Sequence, residues 1–185
     1  MNRTVLGSWV PLFLLLSAAA CAQPPVVTFV NTYKAGTGQI EGTVTFAHEL
    51  PAGTRVQVAM SDMPSPFLGA SNGMKSVDLK APSNKVAFVF SGLAEGPLSM
   101  QAIAYRPEVL ENLRKAMLAA DEEFKKTGKP TMLPPMGPDV GDQAGFFTGE
   151  AVASVDSAKA KKVDVKAGAS LKGIDFTTLT LDKKP

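Results

Sequence analysis

Apolar and polar side chains alternate through most of the chain after residue 26, and this alternation restricts the fold more than any other feature. A period of two places successive side chains on opposite faces of a β-strand, so that one face is buried while the other meets water. In residues 84–92, for example, Val86, Phe88 and Phe90 share one face. Such segments, bounded by turn residues, predict an all-β sandwich of about eight strands. The candidate segments are residues 27–33, 40–46, 55–60, 75–80, 84–92, 98–105, 146–154, 162–166 and 171–181.

Three of these segments carry more specific expectations. Along residues 55–60 the even-numbered positions are apolar and are predicted to face the core, whereas Arg55 and Gln57 are predicted to face water. Residues 98–105 are apolar on much of both faces, which is typical of a central strand. Residues 171–181 change phase partway along, which indicates a bulge or an edge strand.

One segment follows the helical period instead. Pro107 suits the first position of a helix, while Gly128 and Pro130 are typical of a helix end. The pattern predicts an amphipathic helix inserted at residues 107–127 and a loop rich in Pro and Gly over residues 130–145. The apolar stripe of this helix, which is predicted to pack on the sandwich, consists of Val109, Leu110, Leu113, Ala116, Met117, Ala120 and Phe124.

The start of the chain has the pattern of a secretory signal. Arg3 precedes an almost unbroken apolar run at residues 5–16, and small residues follow it. The run is shorter than the roughly 20 apolar residues that span a bilayer. The predicted organisation is a signal peptide at 1–20, a lipid-attachment site and tether at 21–36, and a β-sandwich domain at 37–181 that carries the helical insertion.

Two cleavage sites compete at the end of this leader. The run Ala-Ala-Ala-Cys that ends at Cys21 resembles the lipobox of bacterial lipoproteins, although Ala18 stands where that family usually has Leu. Ordinary signal peptidase would instead cut after Ala22 and leave Gln23 first. The position of the chain's only cysteine favours lipid attachment at Cys21, and Ala22 resembles the residue found there in lipoproteins sent to the outer membrane.

Composition argues against several functions. The leader contains one charged residue, Arg3, so the rest of the chain carries 18 basic and 17 acidic side chains, out of 19 and 17 in total. That balance does not predict a nucleic-acid partner, which requires a clustered basic surface. Metal sites and acid–base catalysis rely on cysteine and histidine, and the chain has only Cys21 and His48. We therefore expect neither catalysis nor a cofactor.

Four segments resemble transthyretin-like, carboxypeptidase-regulatory-like domains of bacterial secreted proteins and lipoproteins. Residues 38–44 and 50–58 are similar to the opening strands of that family, and residues 168–176 to its closing strand. Residues 88–97 fit its F-x-F-x-G-L-x-x-G hairpin. The resemblance covers about half of the mature chain and implies an Ig/transthyretin-like β-sandwich that serves as an accessory, adhesive or scaffold module. The helix at 107–127 departs from the minimal family pattern.

A few polar residues are candidates for a binding site. His48 and Glu49 adjoin a predicted turn, but no other histidine or free thiol could complete a catalytic set, so a polar loop pair is the simpler interpretation. Asp139 and Asp142 could offer oxygen atoms to Ca²⁺, yet two carboxylates are fewer than a dedicated site supplies. Neither pair therefore predicts a metal site.

The methionines suggest a second possibility. Met60 and Met63 form one closely spaced pair and Met132 and Met136 another, and thioethers select Cu(I). Met60, however, also fits the inward phase of its strand, where methionine commonly fills gaps.

The sequence is compatible with two functions. The favoured one is a non-catalytic outer-membrane lipoprotein, attached through Cys21, that binds other envelope proteins or has a structural role there. The alternative is a soluble periplasmic copper-binding or carrier protein.

Overall fold

Two β-sheets and one α-helix make up the computed structural model, which describes residues 23–30, 36–61, 73–130 and 142–181. The predicted all-β sandwich with one inserted helix is confirmed. The elements are β1 (Val26–Val30), β2 (Gly38–Leu50), β3 (Arg55–Ser61), β4 (Gly73–Asp78), β5 (Ser83–Leu93), β6 (Gly96–Tyr105), α1 (Pro107–Thr127), β7 (Gln143–Phe146), β8 (Lys162–Val165), β9 (Ser170–Leu171), β10 (Phe176–Thr177) and β11 (Leu179–Thr180).

The first sheet has the strand order β1-β5-β2-β10, with β9 also paired to β2. β2 and β5 form its antiparallel centre, while β1 runs parallel to β5 at one edge. The second sheet has the order β11-β7-β6-β3-β4, with β8 also paired to β6. β6 is central and pairs antiparallel with β3, β7 and β8, as its two apolar faces predict.

The core lies between the two sheets and is built from the alternating positions of their strands. Rings of Phe88 and Phe90 pack in a tilted pair with centroids 5.8 Å apart. Burial of these large side chains supplies most of the drive to fold, at roughly 1.5–3 kcal/mol for each one. The fully buried residues of this core include Ile40, Val44, Phe46, Val56, Val58, Met60, Val86, Phe88, Phe90, Met100 and Ala102.

The prediction that Gln57 faces water is wrong. Gln57 is only 9% exposed, although it lies on the face of β3 that points away from the core between the sheets. On that outer face it is in register with Ile103 of β6, which is fully buried. The second sheet is therefore buried on both faces along its centre, and alternation along one strand does not reveal this.

The prediction of a strand over residues 146–154 is also wrong, as is the expected extent of the loop before it. β7 already begins at Gln143 and ends at Phe146. The chain then reverses through Gly149, whose φ of 84° lies in the left-handed region. Phe146 and Ser154 consequently face each other and exchange two backbone hydrogen bonds of 2.7 and 3.1 Å.

The phase change within residues 171–181 reflects a change of sheet. Phe176 in β10 is buried in the core and pairs with β2 of the first sheet. Two residues later Thr178 is buried at the crossing, where its N–H donates to the Thr45 carbonyl. β11 then pairs with β7 of the second sheet. The predicted single strand is thus three strands of two residues each.

The first strand of the sandwich, β1, lies within residues 21–36, the segment predicted to be the lipid-attachment site and tether. Residues 26–30 form this strand and pair along their whole length with β5. Val27 is buried in the core. The described part of the tether is therefore residues 23–25.

Helix α1 has the predicted bounds for the predicted reasons. Pro107 occupies its first turn, and Gly128 ends it with a φ of 65° and a hydrogen bond from its N–H to the Phe124 carbonyl. Glu111 accepts hydrogen bonds from Arg114, and Asp121 pairs with Lys125 at 2.5 Å. These local signals place both helix ends without help from the rest of the fold.

Candidate functional site

One end of the sandwich carries the helix, and we call it the helix end. It consists of the turn at residues 51–54, the loop at residues 79–82 and the start of α1 at residues 106–107. Gly53 lies against the Pro107 ring, where an added Cβ would come within 3.2 Å of Cγ. The Gly53 N–H also donates to the Leu79 carbonyl at 2.7 Å. The two turns and the helix start therefore pack as one unit.

The N-terminal tether runs toward this same end. The Pro25 carbonyl accepts a hydrogen bond of 2.9 Å from the Ala87 N–H. Because β1 is parallel to β5, the chain leads backward from Pro25 in the direction of Ser83, where β5 begins. Ser83 adjoins the loop at residues 79–82 that belongs to the helix end. Cys21, the predicted lipid-attachment residue, lies outside the described residues.

The apolar stripe of α1 packs on the buried part of the sandwich in its first turn and is only partly buried or exposed beyond it. Val109 and Leu110 pack on a small buried cluster of Ile103, Tyr105 and Ala144 on the outer face of the second sheet. The helix is 21 residues, or about 31 Å, long and has no fully buried residue. Beyond the first turn, Met117 is 48% exposed, Leu118 53% and Phe124 50%. Among the described residues, packing of the stripe on the sandwich is therefore confirmed for Val109 and Leu110, while Met117 and Phe124 lie about half exposed.

The base of the helix is held by an ion pair. Arg106 Nε lies 2.9 Å from an oxygen of Asp142, whose side chain is 9% exposed. The Asp142 N–H donates to the Ala104 carbonyl, which fixes the carboxylate beside the helix start. This charge is neutralised by Arg106, so Asp142 has a structural role there. Asp139, its predicted partner for Ca²⁺, lies outside the described residues.

His48 and Glu49 form an exposed pair in the bulged part of β2. The His48 main chain is held by Gln143, whose side-chain oxygen accepts from the His48 N–H at 3.2 Å. The Gln143 amide nitrogen donates back to the His48 carbonyl at 3.1 Å. Gln143 is fully buried and joins the two sheets at this point. The sequence pattern does not reveal this role, because it places residue 143 in the loop predicted for residues 130–145.

The methionine pairs receive no support as a copper site from the described residues. Met60 is 2% exposed and lies within the core. Its methyl group sits near Gly73, where an added Cβ would approach it to 2.9 Å. Met63, Met132 and Met136 lie outside the described residues. Among the described residues there is also no group of three or more His, Cys, Asp or Glu placed to hold a metal ion.

Sequence reasoning also missed a row of polar side chains on the outer face of β6. Ser99, Gln101 and Tyr105 are between 1% and 5% exposed. Their side-chain Oγ, Nε2 and Oη atoms have no hydrogen-bond partner among the described residues. Burial raises the pKa of Tyr105 to about 12. The available signal was the placing of Ser99 and Gln101 two residues apart in an otherwise apolar strand.

The edge strand β4 presents a polar surface on the second sheet. Among the described residues it pairs in the sheet only with β3, while β1 of the first sheet lies close to it, with the Phe29 ring against Gly73 at its start. Met74 is 43% exposed. Its end is fastened by Asp78, whose two carboxylate oxygens accept hydrogen bonds of 2.7 and 2.9 Å from Arg55. These hydrogen bonds lower the pKa of Asp78 and raise that of Arg55.

No helix among the described residues is both long enough and apolar enough to cross a bilayer. Comparisons with protein-family models, with curated proteins and with solved structures found no match to this chain.

Proposed function

We propose that the chain is a non-catalytic lipoprotein of the outer membrane, held there by lipid on Cys21, and that its sandwich binds other envelope proteins or has a structural role among them. The observation that carries this proposal is the short distance between Cys21 and the folded domain. β1 begins at Val26, five residues after the cysteine. A lipid at Cys21 would therefore hold the sandwich directly against the membrane.

The leader supports the same proposal. It combines a positive start, an apolar run too short to span a bilayer, and small residues before the chain's only cysteine. Stable attachment requires more than one acyl chain, because each buried methylene contributes about 0.8 kcal/mol. Lipidation of the lipoprotein type supplies several chains at one residue.

The edge of β4 supports a binding role. An extended partner strand can add to an edge whose backbone N–H and C=O groups are free, and the side chains along the edge then select the partner. Met74, Lys75 and Ser76 are exposed along β4. The resemblance to transthyretin-like modules, which are mostly accessory or adhesive, agrees with this role. We propose β4 as the surface that meets another envelope protein.

Metabolic labelling tests the anchor. Cells that express the full chain in the presence of labelled palmitate should incorporate the label into the wild-type protein and not into Cys21→Ala. The matched control Gln23→Ala keeps the cysteine and should incorporate label like the wild type. A wild-type chain that is exported and carries no label would refute the lipoprotein proposal.

Site-specific cross-linking tests the β4 edge. A photo-reactive residue at Met74 should give one reproducible product with an envelope protein. The same residue at Lys159, which is exposed in a short 3-10 helix away from this edge, serves as the control. Equal products at the two positions, or none at Met74, would contradict the proposed surface.

A further inference from the structure

The helix and the anchor belong to the same end of the sandwich. Pro107, which starts α1, packs against the turn at residues 51–54. The tether leaves Pro25 toward the start of β5, which adjoins the loop at residues 79–82. Both the turn and the loop are parts of the helix end. A bilayer that holds the chain at Cys21 therefore faces the end from which α1 emerges.

The length of chain between anchor and domain keeps this end close to the lipid. Four residue steps separate Cys21 from Pro25, and at 3.3–3.6 Å for each step they span at most about 14 Å. Two of the residues in this stretch are prolines, Pro24 and Pro25, which favour an extended and stiff backbone. Because α1 starts at this end, its first turns lie within reach of the bilayer surface.

The uncovered face of the helix suits the boundary between lipid headgroups and acyl chains. Met117 and Phe124 are seven residues apart, which places them two turns apart on the same face, and Leu118 flanks them. All three are about half exposed. Asp121 lies on the same side of the helix between Met117 and Phe124, and its charge is neutralised by an ion pair of 2.5 Å with Lys125. Arg114 is likewise paired with Glu111 at 3.0 Å, and the carbon chains of both basic residues can rest on apolar surface.

We propose that α1 lies on the bilayer surface beside the lipid anchor, with Met117 and Phe124 inserted among the lipids. This inference rests on the proposed attachment at Cys21. Residues 107–129 carry five acidic and five basic side chains, so the helix has little attraction of its own for an anionic membrane. The anchor supplies the missing affinity, because a tethered segment meets the bilayer at an effective concentration in the millimolar range. The charged residues are Glu108, Glu111, Arg114, Lys115, Asp121, Glu122, Glu123, Lys125, Lys126 and Lys129.

The test uses the mature chain from Cys21, with a synthetic lipid coupled to the cysteine in place of the lipid that the cell would attach. Because Cys21 is the only cysteine, its thiol can be coupled to a maleimide-bearing lipid in vesicles of phosphatidylethanolamine and phosphatidylglycerol. The only tryptophan, Trp9, lies in the leader, so Phe124→Trp and Met117→Trp each give a single reporter. Lys166→Trp places the control reporter at the opposite end, where Val165 pairs with Gly96.

Coupling to vesicles should shift the emission of the Phe124→Trp and Met117→Trp reporters to the blue. Lipids brominated on their acyl chains should quench both reporters several-fold more than the Lys166→Trp control. The same proteins left uncoupled should show no quenching. Equal quenching at all three positions, or none at any, would overturn the proposal.

Two further outcomes would assign the helix face to another occupant and so also overturn it. A blue shift without vesicles that grows with protein concentration would show that a second copy covers the face. A blue shift without vesicles that is independent of concentration would show that the chain itself covers it. Since the coupling replaces cellular lipidation, an unlabelled Cys21 in cells would defeat the proposed function and leave this result intact.

Discussion

Phe88 lies in the core and Phe124 on the exposed face of the helix. Replacing each with alanine should therefore have very different effects on the stability of the domain. Phe88 is 1% exposed in the centre of the sandwich, and truncation of a buried Phe costs about 3–5 kcal/mol through lost burial and a residual cavity. Phe124 is 50% exposed, so at most about 1.5 kcal/mol of burial can be lost there. Alanine also forms helices better than phenylalanine by a few tenths of a kcal/mol, which offsets part of that loss.

Urea unfolding of the mature domain, followed by far-ultraviolet circular dichroism, measures both changes. Phe88→Ala should lower the free energy of unfolding by about 3–5 kcal/mol, which corresponds to roughly 6–20 °C in Tm for a domain of this size. Phe124→Ala should change it by less than about 1 kcal/mol. If Phe88→Ala leaves no folded protein to measure, Phe88→Leu provides a milder comparison. A loss at Phe124 as large as that at Phe88 would refute the exposed helix face.

Three more predictions follow from single contacts. Gly42→Ala should destabilise the domain by more than 1 kcal/mol in urea unfolding, because an added Cβ would lie 2.2 Å from the Ile174 carbonyl oxygen and force the backbone to move; unchanged stability would refute that close approach. Gln143→Leu should cost about 1–3 kcal/mol by leaving the His48 main-chain groups without their side-chain partner, and a stability equal to the wild type would show that water replaces it. Tyr105, in a variant whose other tyrosine is Phe, should ionise near pH 12 instead of 10.0 in a spectrophotometric titration; since the folded pKa is raised, its contribution to stability is complete below pH 10 and is lost as pH rises toward 12.

Local signals made much of the fold predictable. The helix bounds follow from Pro107 at the start and Gly128 at the end, and both act within one turn of the chain. Strands whose two faces differ, such as β5 with Phe88 and Phe90 inward, follow from alternation alone. These features depend on neighbouring residues, so a single sequence contains them.

The errors arose where burial depends on distant parts of the chain. Gln57 is buried because the centre of the second sheet is covered on both faces, which the alternation of β3 cannot show. Residues 171–181 pair first with β2 and then with β7, and only the assembled sandwich determines where they cross. The helix stripe is apolar along its length, yet among the described residues only Val109 and Leu110 of the stripe pack on the buried cluster of the second sheet. Periodicity identifies an apolar face without identifying what lies against it.

The candidate site was predictable only in part. Cys21 and the helix were both recognised from the sequence, but their association with one end of the sandwich depends on the parallel pairing of β1 with β5. That pairing joins segments about sixty residues apart and leaves no local pattern. Asp142 was recognised as an acidic loop residue, and its ion pair with Arg106 appears only in the folded chain.

The most direct test of the account is the intact mass of the mature N-terminus, measured on protein from the membrane fraction with Cys21→Ala as the control. We predict a wild-type chain that begins at Cys21 and carries a diacylglyceryl group and further acylation. The Cys21→Ala protein should lack this modification and be lost from the membrane fraction. An unmodified wild-type chain that begins at Gln23 and is recovered in the soluble fraction would contradict this prediction.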